Sequence, residues 1–227
     1  MTSRTTSGDH ESYRIGWVPF LGAHVDLSAR PLIPRPETEY WTEKVIVAIR
    51  ARGAARPQVL DVFCGSGCIG LAVLKHVRVA HVTFADIEKK YFPGIGKSLR
   101  ATRIVRARAR MVRADMFDRL GSAKFDFILA NPPYIASHGR YVQHSVLKQE
   151  PHNALFAGHD GLRYVRALLR AGKPRLRRGG MMAIEFDSPQ KPAIAALARR
   201  HGWRAEFHKD QYGRWRFVFL FPITQSD

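Results

Sequence analysis

Apolar residues fall along this chain in two alternating rhythms: short continuous runs, and longer segments where they recur every three or four positions. The run at residues 125–130 reads as a buried strand, and strands are also expected over 59–62, 82–85 and 109–114, with helical stretches between them. A helix is expected over residues 37–52, with Ile46, Val47 and Ile49 among its apolar positions, Pro36 in its first turn and Gly53 as its stop. Beyond an irregular stretch ending near His159, the pattern predicts a helix over 161–171, a strand over 181–186 and a helix over 192–201. Two closing strands, 203–207 and 215–221, are placed as a hairpin around residues 210–213. Alternation closed by a hairpin predicts an α/β fold whose seven-stranded sheet has its last strand antiparallel.

The chemistry-bearing residues fall where these strands end, which is where open α/β sheets hold ligands. The strand over 59–62 runs into Phe63-Cys64-Gly65-Ser66-Gly67 and then a helical pattern, the strand, turn and helix order of a nucleotide-binding unit. The next strand ends in Asp86, nineteen residues beyond Gly67, at the spacing of a ribose-binding acid. The third ends in Asp115-Met116-Phe117, an acceptor with an apolar cover for adenine. The fourth ends in Asn131-Pro132-Pro133-Tyr134. Two prolines remove two N–H donors and stiffen the turn, so a side-chain amide, a fixed carbonyl and an aromatic ring form an acceptor pocket for a planar NH2 group.

Gly65-Ser66-Gly67-Cys68-Ile69-Gly70 has the spacing of a dinucleotide fingerprint, so the glycines alone leave NAD open. Asp61 ahead of the loop suits a cationic ligand better than a pyrophosphate, and the Asn-Pro-Pro-Tyr turn holds an amine rather than a hydride acceptor. Together they favour S-adenosylmethionine, with S-adenosylhomocysteine as product. Cys64 and Cys68 are the only two cysteines; two thiols make a poor zinc site, and no metal is expected.

At 227 residues with 45% hydrophobic content, the chain can bury one substantial core. No apolar run approaches the roughly 18 residues of a membrane span and no signal-peptide core follows Met1, so a cytoplasmic protein is expected. The polar opening residues predict a disordered or extended tail over 1–19, ahead of a single domain over 20–227. The net charge of +18 includes arginines at 100, 103, 106, 108, 110 and 113, and others at 163, 166, 170, 175, 177 and 178. Arg106, Arg108 and Arg110 would share one face of an early-starting strand, and Arg163, Arg166 and Arg170 one face of a helix. These runs are a solvated basic surface or an attraction for a polyanion, RNA or an acidic protein partner.

The chain resembles the release-factor glutamine methyltransferase family, a Rossmann-like branch of the class I S-adenosylmethionine-dependent methyltransferases. The stretches that carry the resemblance start with Ile33-Pro34-Arg35-Pro36-Glu37-Thr38-Glu39, then the loop from Asp61 to Gly67, Asp86, Asp115-Met116-Phe117 and Asn131-Pro132-Pro133-Tyr134-Ile135. Glu150-Pro151 with Ala154-Leu155, Gly158, Asp160-Gly161-Leu162, Glu185, Gln190 and Lys209-Asp210 with Gly213-Arg214 follow. The chain departs from the family's pattern at Phe63, where a glycine is usual, and at Cys64. It also has too few residues before Phe20 for the helical domain that relatives carry there.

The resemblance implies methyl transfer to the amide nitrogen of the glutamine in the Gly-Gly-Gln loop of peptide chain release factors, a step serving translation termination. The release factor would be the protein partner. Asn131, Pro132 and Tyr134 would carry the chemistry, and Cys64, Gly65, Ser66, Gly67, Asp86, Asp115, Met116 and Asn131 would hold the cofactor. Asn131, Pro132, Pro133, Tyr134, Arg35, Glu37 and Thr38 would meet the substrate. Methylation of a ribosomal-protein glutamine, adenine-amino methylation of RNA or DNA, and a non-catalytic RNA-binding module stand as alternatives. The basic surface leaves a ribosome or RNA contact open.

Overall fold

The computed structural model describes residues 11–135 and 157–223. Glu11–Ile15 forms a short helix, α1, and Trp17–Phe20 (β1) pairs with Ala23–Asp26 (β2) in an antiparallel hairpin. The extended tail expected up to residue 19 is therefore corrected from Glu11 onward. The hairpin turn is Leu21-Gly22, with φ of 44° and 72°. Two successive left-handed residues match the twist of paired strands, which is why so tight a turn closes here. The Glu39 carboxylate accepts the Leu21 N–H at 2.6 Å, and the His76 ring nitrogen meets the Leu21 carbonyl at 2.7 Å. The hairpin's outer edge is met by side chains of the helix Phe92–Ala101: Thr102 just beyond it accepts from His24 N–H, and Ser98 from Asp26 N–H.

The main sheet uses β3 (Gln58–Val62), β4 (His81–Asp86), β5 (Ala109–Arg113), β6 (Phe125–Ala130), β7 (Leu176–Glu185), β8 (Trp203–Lys209) and β9 (Trp215–Pro222). Its order is β5-β4-β3-β6-β7-β9-β8, parallel from β5 to β7 and antiparallel at β7–β9 and β9–β8. This is the seven-stranded arrangement the sequence predicts. From β3 the chain builds outward through β4 to β5 at one edge, then returns to place β6 on the other side of β3. The reversal leaves a crevice at the carboxyl ends of β3 and β6, where both candidate loops emerge.

Side chains of the buried strands alternate between two cores. Val59, Phe127 and Leu129 join Trp41, Leu71, Phe84 and Phe217 on the face covered by α2 (Pro36–Ala51), α3 (Cys68–His76) and α4 (Phe92–Ala101). Leu60, Ile128 and Ala130 join Val165, Leu168, Ile194 and Trp203 beneath α5 (Arg163–Ala171) and α6 (Lys191–Arg200). Period-two burial on both faces makes the strand runs nearly all apolar.

The edge strand β5 begins at Ala109, and Arg106–Arg108 form a 3-10 turn, so the shared face expected for Arg106, Arg108 and Arg110 does not form. Arg108 instead reaches back to the Leu74 and Val77 carbonyls at the end of α3. A guanidinium there meets the negative, carbonyl-bearing end of the helix.

Candidate active site

Asp61 lies in β3 with no exposed surface, and its Oδ2 accepts the Gly70 N–H at 2.9 Å. This bond ties the first turn of α3 to the sheet. Its other oxygen has no hydrogen-bond partner among the described residues, and burial pushes the carboxyl up to about 8. Asp61 borders neither of the two spaces described below.

In the loop that follows, Phe63, Gly65 and Gly67 have φ of 60°, 48° and 76°. A Cβ on Gly65 would meet nothing within 4 Å, so the backbone angle requires that glycine. A Cβ on Gly67 would lie 2.9 Å from Ile95 and 3.2 Å from Phe84. A larger residue at 67 would thus crowd helix against sheet, and Gly67 borders neither of the two spaces described below. The Cys64 and Cys68 thiols are both free and buried, and burial is the main cause that pushes each above the ordinary thiol range.

Asp86 ends β4, and two backbone donors aim its carboxylate: Gly65 N–H on Oδ2 at 2.8 Å and Glu88 N–H on Oδ1 at 2.9 Å. Burial outweighs these bonds and raises its pKa. It faces a cavity of about 400 Å³ shared with Gly65, Asp115, Met116, Asn131 and Pro133. That volume falls in the ordinary range for a small-molecule site. The wall also contains residues that the sequence did not single out for this site: Leu32, Tyr91, Arg163 and Tyr164, together with Phe63. Phe63 and Tyr164 meet edge to face with centroids 5.1 Å apart. The departure from glycine at Phe63 therefore places a ring on the cavity wall, at the expense of a left-handed backbone that favours glycine.

A smaller space of about 40 Å³ adjoins, bordered by Arg35, Thr38, Cys64, Gly65, Ser66 and Asn131, among others. Asn131, Gly65, Phe63 and Leu32 border both spaces. Glu37, Pro132 and Tyr134 border neither of these two spaces.

The Asn131 amide is locked from behind. Its Nδ2 donates to Thr38 Oγ1 at 3.3 Å, Thr38 Oγ1 donates to Glu185 Oε2 at 2.7 Å, and Trp41 Nε1 donates to the same oxygen at 2.6 Å. Glu185 closes β7 at 1% exposure, and burial raises its pKa against the pull of those two donors. Gln190 Nε2 donates to the Tyr134 carbonyl at 3.0 Å and to the Gly161 carbonyl at 3.2 Å. A Cβ on Gly161 would sit 2.3 Å from the Tyr134 oxygen, so only glycine fits there. Burial, then the nearby Glu185 carboxylate, raises the Tyr134 hydroxyl. The Glu150-Pro151 and Ala154-Leu155 motif lies outside the described residues.

Residues 42–158 match the family model "Methyltransferase small domain". The release factor glutamine methyltransferase of Deinococcus radiodurans is 32% identical over 203 residues, 89% of this chain and 71% of that one. Its counterpart from Streptococcus pneumoniae is 34% identical over 211 residues, 92% of this chain and 73% of that one. Among solved structures, a ribosomal protein L11 methylase from Lactobacillus delbrueckii subsp. bulgaricus superposes with a TM-score of 0.64 at 17% identity, covering 88% of this chain and 84% of that one. That likeness concerns the fold. A strand-end cavity with an oriented Asp86, beside a locked Asn-Pro-Pro-Tyr turn, is thus found in a chain that belongs to the release factor glutamine methyltransferase family of S-adenosylmethionine-dependent methyltransferases.

Proposed function

We propose that this methyltransferase modifies the side-chain amide nitrogen of the glutamine in the Gly-Gly-Gln motif of peptide chain release factors. The observation that carries the reading is Asn131: it borders both spaces, and its NH2 group is turned back onto Thr38. The amide's remaining polar atom is an acceptor, the complement of a substrate N–H. The names of the relatives support the release factor as the source of that amide.

S-adenosylmethionine suits the site, and when bound it supplies an electrophilic methyl group. Asp86 would accept from ribose hydroxyls with the lone pairs its two backbone donors leave, and Met116 would cover the adenine. Cys64, Gly65 and Ser66 line the smaller space toward Asn131. Asn131 Oδ1 would accept one N–H of the substrate amide, and the neighbouring Pro132 carbonyl, although Pro132 borders neither space, would accept the other. An amide nitrogen is a poor nucleophile because its lone pair is delocalised. Acceptors on its hydrogens orient that lone pair and favour the positive charge developing on nitrogen. The proton can leave after transfer, so no side chain of the turn has to act as base.

Of the arginines that would attract a partner, several are held. Arg166 pairs with Asp160, Arg177 with Asp126, and Arg175 with the Phe117 and Gly121 carbonyls. Among the described residues no helix is long and apolar enough to cross a membrane. Labelled methyl transfer to release factor, ribosomal protein and rRNA side by side tests the reading. Label on the release factor alone supports it; label on rRNA adenosine, with none on the factor, overturns it.

A further inference from the structure

We infer that Glu185 is a positioning residue that decides, through the Thr38 hydroxyl, which end of the Asn131 amide faces the acceptor space. This rests on the reading of Asn131 as the acceptor for a substrate NH2 group. Asparagine is ambiguous in shape: its oxygen and NH2 group occupy nearly the same volume, and a half-turn exchanges them. A site that must accept N–H bonds needs a device that prevents that half-turn.

The device follows from donor and acceptor types alone. An indole N–H only donates, so the Glu185 oxygen that meets it must accept. Trp41 Nε1 and Thr38 Oγ1 both lie within 2.7 Å of the one Glu185 oxygen, Oε2. The single Thr38 proton is therefore committed to Glu185, and what the hydroxyl offers on its other side is a lone pair. Only the Nδ2 end of Asn131 can satisfy that lone pair, at 3.3 Å. The amide oxygen is left for the substrate side. Without the carboxylate the hydroxyl could turn its proton to Oδ1, and Asn131 would present donors where a donor must bind.

Burial makes the device stiff. Thr38 is 2% exposed, Trp41 0% and Glu185 1%, so water has little access to exchange for any of the three partners. The elements involved are also well separated along the chain: Thr38 and Trp41 stand in the first turns of α2, Glu185 at the end of β7, and Asn131 just past β6. The Ile33–Glu39 signature is thereby joined to the Asn-Pro-Pro-Tyr turn by a hydrogen-bond chain that runs behind the site. Thr38, which borders the smaller space, is thus also the link between the two motifs.

The test uses Thr38→Val, which keeps the shape and removes the hydroxyl, with Thr38→Ser as the conservative rescue. Side-chain NH2 signals of ¹⁵N-labelled protein report on Asn131 directly, the signal being assigned by its loss in Asn131→Asp. In the native protein the Asn131 NH2 should exchange slowly with solvent; in Thr38→Val its protection should fall at least tenfold, and Thr38→Ser should restore it. In methyl transfer, Thr38→Val should lower kcat roughly 30-fold with little change in cofactor affinity, and Thr38→Ser should recover most of that loss. Glu185→Gln should be the milder lesion, because donor-only Trp41 obliges the new amide to place its oxygen where Oε2 lies. Unchanged NH2 protection in a folded Thr38→Val protein would overturn the inference, as would unchanged kcat. The exchange measurement needs no substrate, so it stands apart from failure of the release-factor reading.

Discussion

The loop after β3 and the turn after β6 lie side by side at the crevice, yet they are held in opposite ways. The first is shaped by its own backbone: left-handed residues at Phe63, Gly65 and Gly67, a Cys64 N–H bonded to Ala85, and a Gly65 N–H bonded to Asp86. The second is shaped by side chains brought from far along the chain, Thr38, Glu185 and Gln190, onto Asn131 and the Tyr134 carbonyl. A loop that cradles a ligand with backbone needs glycines and close packing. A turn that must present one polar atom in one sense needs fixed partners. The first is therefore tolerant of chemistry and intolerant of shape, and the second the reverse.

The largest effect is expected at the turn. Asn131→Ala should cut turnover roughly 30- to 1000-fold, about 2–4 kcal/mol, while cofactor affinity by calorimetry stays near native. Turnover close to native would remove Asn131 from the chemistry. At the loop, Asp86→Ala should weaken cofactor binding roughly tenfold or more, from loss of a charge-assisted hydrogen bond of about 1.5–3 kcal/mol. It should also loosen Gly65, so a fold check by circular dichroism accompanies the titration. Equal affinity in a folded variant would take Asp86 out of the site.

Asp61 sharpens the contrast through pH. Its folded carboxyl titrates near 8 and its unfolded one near 3.8, so between these values the folded state binds one proton more. Stability should therefore fall as pH rises, by up to about 1.4 kcal/mol between pH 6 and 7, and level off above about 8. Asp61→Asn should flatten this slope in denaturant titrations; an identical slope in both proteins would contradict the buried neutral acid. Smaller again is Phe63→Gly. Relief of the left-handed backbone, about 1 kcal/mol, should nearly offset loss of the edge-to-face contact with Tyr164, leaving stability little changed. Cofactor binding should still weaken severalfold, since a wall of the cavity is gone. A large loss of stability would mean that the ring's packing outweighs the strain.

The same contrast explains what the sequence makes legible. Buried strands announce themselves because both faces are apolar; residues 125–130 were expected and found as β6. The glycine loop and Asp86 are local patterns, and their places in the structure follow from strand ends. The β1–β2 hairpin escaped notice because Leu21 occupies a left-handed position that pattern rules reserve for Asn, Asp or Gly. Arg163 and Tyr164 were hidden in a helix read only for its basic face, although both line the cavity. No local signal could reveal the link between Thr38 and Glu185, which lie 147 residues apart and meet only because β7 ends beside the start of α2. The glycine pattern does not reveal that Ile95 and Phe84 would crowd any larger residue at position 67.

The central claim is that an amide nitrogen held by Asn131 is the atom methylated. Its most direct test is methyl transfer to a purified release factor, with mass mapping of the product, beside the same factor carrying asparagine or alanine at the glutamine of its Gly-Gly-Gln motif. The account predicts a single methyl group on that glutamine's side-chain nitrogen, absent from both altered factors and from Asn131→Ala enzyme. Label that persists on the altered factors, or that appears on rRNA adenosine while the native factor stays unlabelled, would contradict it.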